Sequence, residues 1–102
     1  VPIIKRVIAV GGDTVYIDFN SSEVYVNGVM LDEPYISEPT TLSYDVQFPL
    51  TVDEGKLFVM GDNRNDSVDS RSSDIGLIDE RYVLGKALVR IYPAEDWDIY
   101  EN

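Results

Sequence analysis

The 102-residue chain contains no histidine and no cysteine. The first absence excludes a Ser-His-Asp triad, a Cys-His dyad and a histidine-ligated zinc protease. The second excludes thiol catalysis, thiolate metal sites and disulfides, and is compatible with export without proving it. Cations are scarce: eight Lys and Arg stand against nineteen Asp and Glu, for a formal net charge of −11. Nucleic acid and anionic lipid surfaces both demand a basic face, so no nucleic-acid partner is expected, and the surplus acid reads first as solubility. No apolar run approaches the roughly 20 residues that span a bilayer. The first ten residues lack the charged start and cleavage pattern of a signal peptide. Long helical periodicity, internal repeats and heptads are missing too. A hydrolase built from this inventory must rely on lysine, a terminal amine, carboxylates or an oxygen-ligated metal.

What is present is a strand-rich pattern with enough apolar residues, 44%, for the core of one domain. Ile3 to Val10 is β-branched and apolar except at Lys5 and Arg6, and it stops at Gly11-Gly12-Asp13. Val15 to Phe19 reads as the next strand. Glu23 to Val26 meets Asn27-Gly28 and then Val29 to Leu31, and Asn-Gly between apolar runs is a strong hairpin signal. Residues 32–55 carry Pro34, Pro39 and Pro49 among polar residues and read as an irregular surface excursion, with one strand near Ser43 to Phe48. Asp53-Glu54-Gly55 reads as a turn. Lys56 to Met60 is a strand, Ile78 to Val83 one short helical turn, and Leu84 to Tyr92 a strand that ends at Pro93. The tail from Glu95 to Asn102 is acidic, with Trp97, Ile99 and Tyr100 as apolar anchors. The chain opens at Val1 rather than methionine, directly into a strand, and is therefore read as a fragment.

Two places stand out chemically. The segment Gly61-Asp62-Asn63-Arg64-Asn65-Asp66-Ser67-Val68-Asp69-Ser70-Arg71 packs two arginines, three acids and two hydroxyls into eleven positions after an apolar strand. Such a run can build an ion-paired loop of one shape, and rigid polar loops beside strands are where functional groups tend to sit. Calcium is a poor fit, because an EF-hand loop needs oxygen ligands where Arg64 stands. A paired-aspartate site is also a poor fit, since Arg71 would hold Asp69 ionised. The other place is Lys5, inside the most apolar strand. Strand alternation turns Lys5 and Arg6 to opposite faces, with Ile3 and Val7 as companions of Lys5. If the lysine snorkels to water it stays ordinarily basic. If it is kept dry its pKa falls, and a drop of roughly 2–3 units from about 10.4 makes it a usable base near neutral pH.

Together the two segments resemble the bacterial type I signal peptidases. Lys5 to Asp13 is similar to that family's lysine box, K-R-x-x-x-x-x-G-D. Gly61 to Arg71 carries every fixed position of its last box, G-D-N-R-x-x-S-x-D-S-R. Ile75-Gly76-Leu77-Ile78 and Leu84-Gly85-Lys86-Ala87 also look like the end of that family. The resemblance implies a mainly β fold of hairpins and a partly open barrel, shared with self-cleaving repressors, with at most one short helical turn. It implies a single extracytoplasmic peptidase-core fragment over residues 1–102, with 32–55 as the excursion within it. The implied activity is that of a Ser-Lys serine endopeptidase which removes signal peptides from exported preproteins, at the bacterial cell membrane.

On this mapping Lys5 is the general base and Ser67 the hydroxyl that aims it. Arg6, Asp62, Arg64, Asp69 and Arg71 are structural supports. Ile3, Ile4 and Val68 fall where substrate is bound, although many relatives carry tyrosine at the position of Ile3. The family's nucleophilic serine and oxyanion donors lie upstream of the lysine, after a single-pass membrane anchor, and no serine of this chain stands in that context. The fragment alone is therefore expected to be inactive, with no cofactor and no metal. Missing too is a strand beside Lys5, so an open edge at residues 3–10 and edge-strand self-association are expected. The competing reading is a catalytically inactive, signal-peptidase-like assembly or binding factor at the cell surface; retention of Lys5 and Ser67 speaks against it.

Overall fold

A computed structural model describes residues 3–82 and 88–91, with side chains described over residues 4–81. Among the described residues the fold is mainly β: eight strands, in two four-stranded antiparallel sheets, and one single-turn 3-10 helix. The strands are β1 (Ile3–Val10), β2 (Thr14–Asp18), β3 (Glu23–Val26), β4 (Val29–Met30), β5 (Leu50–Thr51), β6 (Lys56–Met60), β7 (Ile78–Asp79) and β8 (Leu88–Ile91). One sheet runs β7-β6-β1-β8 and the other β4-β3-β2-β5. The 3-10 turn spans Glu80–Tyr82.

The Asn27-Gly28 signal makes the β3–β4 hairpin, and both residues hold the positive φ that a tight turn of this hand requires (52° and 81°). Asn27 also ties the turn back, accepting from the Thr14 N–H at 2.9 Å and donating to Asp13 at 2.8 Å. At Gly11 the β1–β2 turn passes so close to the β5–β6 turn that a Cβ there would lie 2.9 Å from the Glu54 Cα. The glycine is thus required by contact between two turns.

Alternation in β2, β3 and β6 builds the main core between the sheets. Ala9, Val15, Ile17, Val24, Val52, Phe58 and Met60 are buried there together. A second cluster, Leu57, Val59 and Ile78 with Val7 and Ile75 against it, lies on the outer face of the first sheet. The β1–β6 register pairs Arg6 with Met60 and Val7 with Val59. Cross-strand partners share a face. Arg6 therefore lies on the Met60 side and Val7 on the Val59 side, and alternation puts Lys5 with Val7. A bulge between Val7 and Ala9 then shifts the register, so that Ala9 meets Phe58 and joins the main core.

Three sequence expectations need correction. Strand β1 is not open along residues 3–10 as a whole: β6 pairs it over Arg6–Val10 and β8 over Ile3–Arg6, and among the described residues only Arg6 has a strand partner on both sides. The strand near Ser43 to Phe48 is not formed; the only strand of the excursion is Leu50–Thr51, which pairs with β2 just after the cis Phe48-Pro49 peptide. Ile78 and Asp79 are strand, and only Glu80–Tyr82 is helical. Of the last expected strand, Leu88–Ile91 is observed, while Leu84 to Ala87, Tyr92 and the tail from Glu95 lie outside the described residues.

Candidate active site

Lys5 is 2% exposed and donates from Nζ to the Ser67 hydroxyl at 2.6 Å. Ser67 is itself fully buried. The loop reaches Lys5 because it folds back over the outer face of the first sheet after leaving β6. Ser70 closes that fold. Its N–H donates to the Val59 carbonyl at 3.0 Å, its hydroxyl accepts from the Val59 N–H at 2.9 Å, and the same hydroxyl donates to the Gly76 carbonyl at 2.7 Å. One serine thus continues the ladder of β6 and bridges both limbs of the loop.

Burial pushes the Lys5 amine down from about 10.5 to about 8. The nearby Arg71 guanidinium pushes the same way, while the Asp69 carboxylate opposes both. A buried lysine disfavours its charged form because the surrounding protein solvates charge less well than water. At pH 7 about one amine in ten is then neutral, compared with a vanishing fraction for a solvated lysine. The snorkelling alternative does not hold for Lys5.

Asp69 and Arg71 form the buried frame of the loop, both at 0% exposure. The pairing is two-pronged: Nε to Oδ1 at 2.8 Å and Nη2 to Oδ2 at 2.9 Å. Asp69 also accepts from the N–H of Gly61 at 3.0 Å and of Arg71 at 3.1 Å. Arg71 spends its remaining donors on carbonyls, reaching Leu42 at 2.7 Å, Arg64 at 2.8 Å and Ser67 at 3.2 Å. A buried pair is stable only when such extra bonds satisfy both ions. Here one guanidinium ties the loop to itself and to the excursion.

Arg64 is fully buried as well. It donates to the Gly61 carbonyl at 2.7 Å and to Thr40 at 3.3 Å, and pairs with Glu33 at 2.7 Å. Arg6 and Asp62 form a partly exposed two-pronged pair at 2.8 and 2.9 Å on the opposite face of β1. The Arg6 guanidinium lies 3.8 Å from the centre of the Tyr35 ring.

The structure brings Lys5, Ser67, Asp69 and Arg71 into one cluster and sets Arg6 with Asp62 apart from it. Ile4, 38% exposed, falls on the Arg6 face by alternation, and Val68 is half-buried. The side chain of Ile3 lies outside the described residues. A cavity of about 240 Å³ beside Tyr35, Ser37, Asp62 and Asn63, and another of about 340 Å³ along Tyr16, Phe19, Tyr44 and Phe48, both lie away from Lys5. Among the described residues no group of acidic side chains could hold a metal ion, and no helix is long and apolar enough to cross a membrane.

Sequence reasoning missed four partners, all from the excursion: Glu33, Thr40, Tyr35 and Tyr44. Glu33 and Thr40 engage Arg64 at Nη1, while its buried Nη2 has no hydrogen-bond partner among the described residues; Tyr35 stacks on Arg6, and the Tyr44 hydroxyl donates to the Ser67 carbonyl at 2.8 Å. The only signal for them is that buried arginines need acids and acceptors from somewhere, and the loop holds too few.

Comparison with known proteins identifies the family. The family described as signal peptidase, peptidase S26, matches residues 1–92. A probable signal peptidase I-1 of Synechocystis is 43% identical over 94 residues, 92% of this chain and 44% of its own length. The signal peptidase I of Bacillus licheniformis is 41% identical over 100 residues, covering 91% of this chain and 52% of that protein. The crystal structure of a signal peptidase I from Enterococcus faecalis superposes with a TM-score of 0.64 at 35% identity, covering 79% of this chain and 78% of that one. The chain thus spans about half the length of these two curated relatives. With a family match over nine-tenths of its length and its two boxes folded against each other through Lys5 and Ser67, the chain belongs to the signal peptidase family, peptidase S26.

Proposed function

We propose that this chain forms the base-bearing part of a Ser-Lys endopeptidase that removes N-terminal signal peptides from exported preproteins. The carrying observation is the 2.6 Å contact between a buried Lys5 amine and Ser67. In its neutral form the amine has a lone pair and can take the proton of an attacking serine hydroxyl. It can then return that proton to the leaving amine, the two duties imidazole performs in a triad. Ser67 engages one side of Nζ and so orients that lone pair. Asp69 and Arg71 hold the loop that carries Ser67. Ile3, Ile4 and Val68 contact the extended substrate.

In this reading the nucleophilic serine and the oxyanion donors come from a segment of the parent protein that precedes Lys5. The parent sits in the bacterial cell membrane by one span, with this domain on the extracytoplasmic side. The chain by itself is then inactive. The test uses the full-length parent and a preprotein substrate. Lys5→Ala is expected to lower processing by at least about 10²-fold, the lower end for loss of a general base. The pH profile of kcat/KM is expected to rise about tenfold per unit below pH 8 and level off above it, because the neutral amine is the active form. Wild-type processing by the Lys5→Ala protein, or a profile flat from pH 6 to 9, overturns the proposal. The packed Lys5–Ser67 contact favours an enzyme over the inactive assembly factor, which has no use for a dry base.

A further inference from the structure

Residues 41–50 alternate between exposed and half-buried positions, with Leu42, Tyr44, Val46, Phe48 and Leu50 turned inward. That is the side-chain pattern of an extended strand. Residues 41–46 nevertheless pair with no strand and run along the polar loop. Asn65 accepts from the N–H groups of Thr41 and Leu42 at 3.0 and 3.1 Å. Arg71 Nη1 donates to the Leu42 carbonyl at 2.7 Å, and the Val46 N–H donates to the Arg71 carbonyl at 3.1 Å. Between these ties stands Tyr44, whose hydroxyl donates to the Ser67 carbonyl at 2.8 Å.

We propose that Tyr44 is a positioning residue for the Lys5–Ser67 pair, acting through the backbone of Ser67. The inference rests on the reading of that pair as base and aiming hydroxyl. The Ser67 carbonyl accepts two bonds, 2.8 Å from Tyr44 and 3.2 Å from Arg71 Nη2. Two donors on one carbonyl fix the peptide plane that follows Ser67. A fixed plane limits how far the Cα–Cβ bond of Ser67 can swing, and so fixes where its hydroxyl stands relative to the Lys5 amine. Arg71 makes the longer of the two bonds and divides its donors among Asp69 and the carbonyls of Leu42 and Arg64. Tyr44 supplies the shorter one. Productive geometry tolerates displacements of only about 0.5 Å, so a support on the backbone carbonyl of the residue that carries the hydroxyl has leverage on rate.

The geometry also separates the Tyr44 hydroxyl from its ring. The ring faces the Arg71 guanidinium at 5.4 Å and lines the larger cavity with Tyr16, Phe19 and Phe48. Tyr44→Phe keeps both of those roles and removes only the donor. The experiment compares wild type, Tyr44→Phe, Ser67→Ala and the double variant in the full-length protein. It measures kcat and KM on a preprotein, and the titration midpoint of Lys5 from its ε-carbon NMR signal. Asp69 and Arg71, which face Lys5, are intact in every variant. Tyr44→Phe is expected to lower kcat about three- to tenfold, the worth of one neutral hydrogen bond, with KM unchanged. It should move the Lys5 midpoint in the direction that Ser67→Ala moves it. Neither quantity should change further when Tyr44→Phe is added to Ser67→Ala, the sign of two residues acting as one unit. Equal effects with and without the Ser67 hydroxyl, no effect at all, or a loss of kcat with an unmoved midpoint each overturn the inference. If the wild-type protein cleaves nothing, the proposed function fails, and the Lys5 midpoint alone still decides the role of Tyr44.

Discussion

At the scale of single residues, the site is governed by the cost of keeping charge dry. Lys5 has a pKa of about 8 in the folded chain against about 10.5 when solvated. The unfolded state therefore binds more protons between those values, and stability rises with pH across that window. Below pH 8 the buried charge costs roughly 3 kcal/mol, and the cost is gone above pH 10.5. Lys5→Met removes the titration. In denaturant unfolding, wild type is expected to gain about 3 kcal/mol on Lys5→Met between pH 7.5 and 10.5; a constant difference across that range would show that Lys5 is not buried. Two of the three arginine–carboxylate pairs around the loop, one on each face of β1, differ in the same way. Asp69→Asn leaves a fully buried Arg71 uncompensated and is expected to cost about 3–5 kcal/mol. Asp62→Asn breaks a pair at 24% and 34% side-chain exposure, where water solvates the survivor, and is expected to cost under about 1 kcal/mol. Thermal or denaturant melts of the two variants side by side check that ordering.

At the scale of elements, the polar loop holds its shape only because neighbouring segments complete it. Asn65 reaches out of the loop to accept three bonds, from the Thr41 N–H and hydroxyl and the Leu42 N–H, and it donates to the Pro39 carbonyl. Ser73 donates to Asp45 from its N–H at 2.8 Å and from its hydroxyl. Asn65→Ala is expected to cost about 1–2 kcal/mol, moderated because these groups are exposed and water replaces part of the loss. Its clearer signature is local: limited proteolysis should cut residues 36–46 several times faster than in wild type, with the rest of the chain unaffected. At the other end of the sheets, Gly11→Ala forces a Cβ to within 2.9 Å of the Glu54 backbone, so one of the two turns must move. Overpacking of this kind costs about 1–3 kcal/mol, measurable as a lowered melting temperature.

At the scale of the whole molecule, two sheets enclose one core and the polar loop caps the outer face of one of them. Strand β1 links the first sheet, paired with β8 over its first half and with β6 over its second, and is packed on both faces. Hydrogen exchange is expected to be slowest in the amides of β1 and β6 and fastest in the two-residue strands β4 and β5 at the edges of the second sheet. Exchange in β1 as fast as in β4 would remove the rigid platform on which Lys5 is held. The net charge of −11 adds general self-repulsion without marking a binding face. The ion pairs of the site are local and mostly buried, so moderate salt should leave them intact.

Much of this was legible in the sequence, and for local reasons. Asn27-Gly28, the alternation of β2 and β3, and the apolar run of β6 are written in neighbouring residues, and each forms where expected within a residue or so. The absence of histidine and cysteine forced any proton transfer onto an amine or a carboxylate. The odd placement of Lys5 in an apolar strand singled out which amine. Tertiary structure decided the rest. Ser43 to Phe48 has strand-like alternation but no strand beside it, so its inward side chains serve the polar loop instead. The acids and hydroxyls that bond to Arg64 and to the Ser67 carbonyl come from 23 to 31 positions away, a separation no local pattern encodes. Burial of Lys5 was undecided in the sequence, because alternation assigns a residue to a face and cannot say what covers that face. The fold covers it with the loop that carries Ser67, and the pKa of an amine answers to that cover.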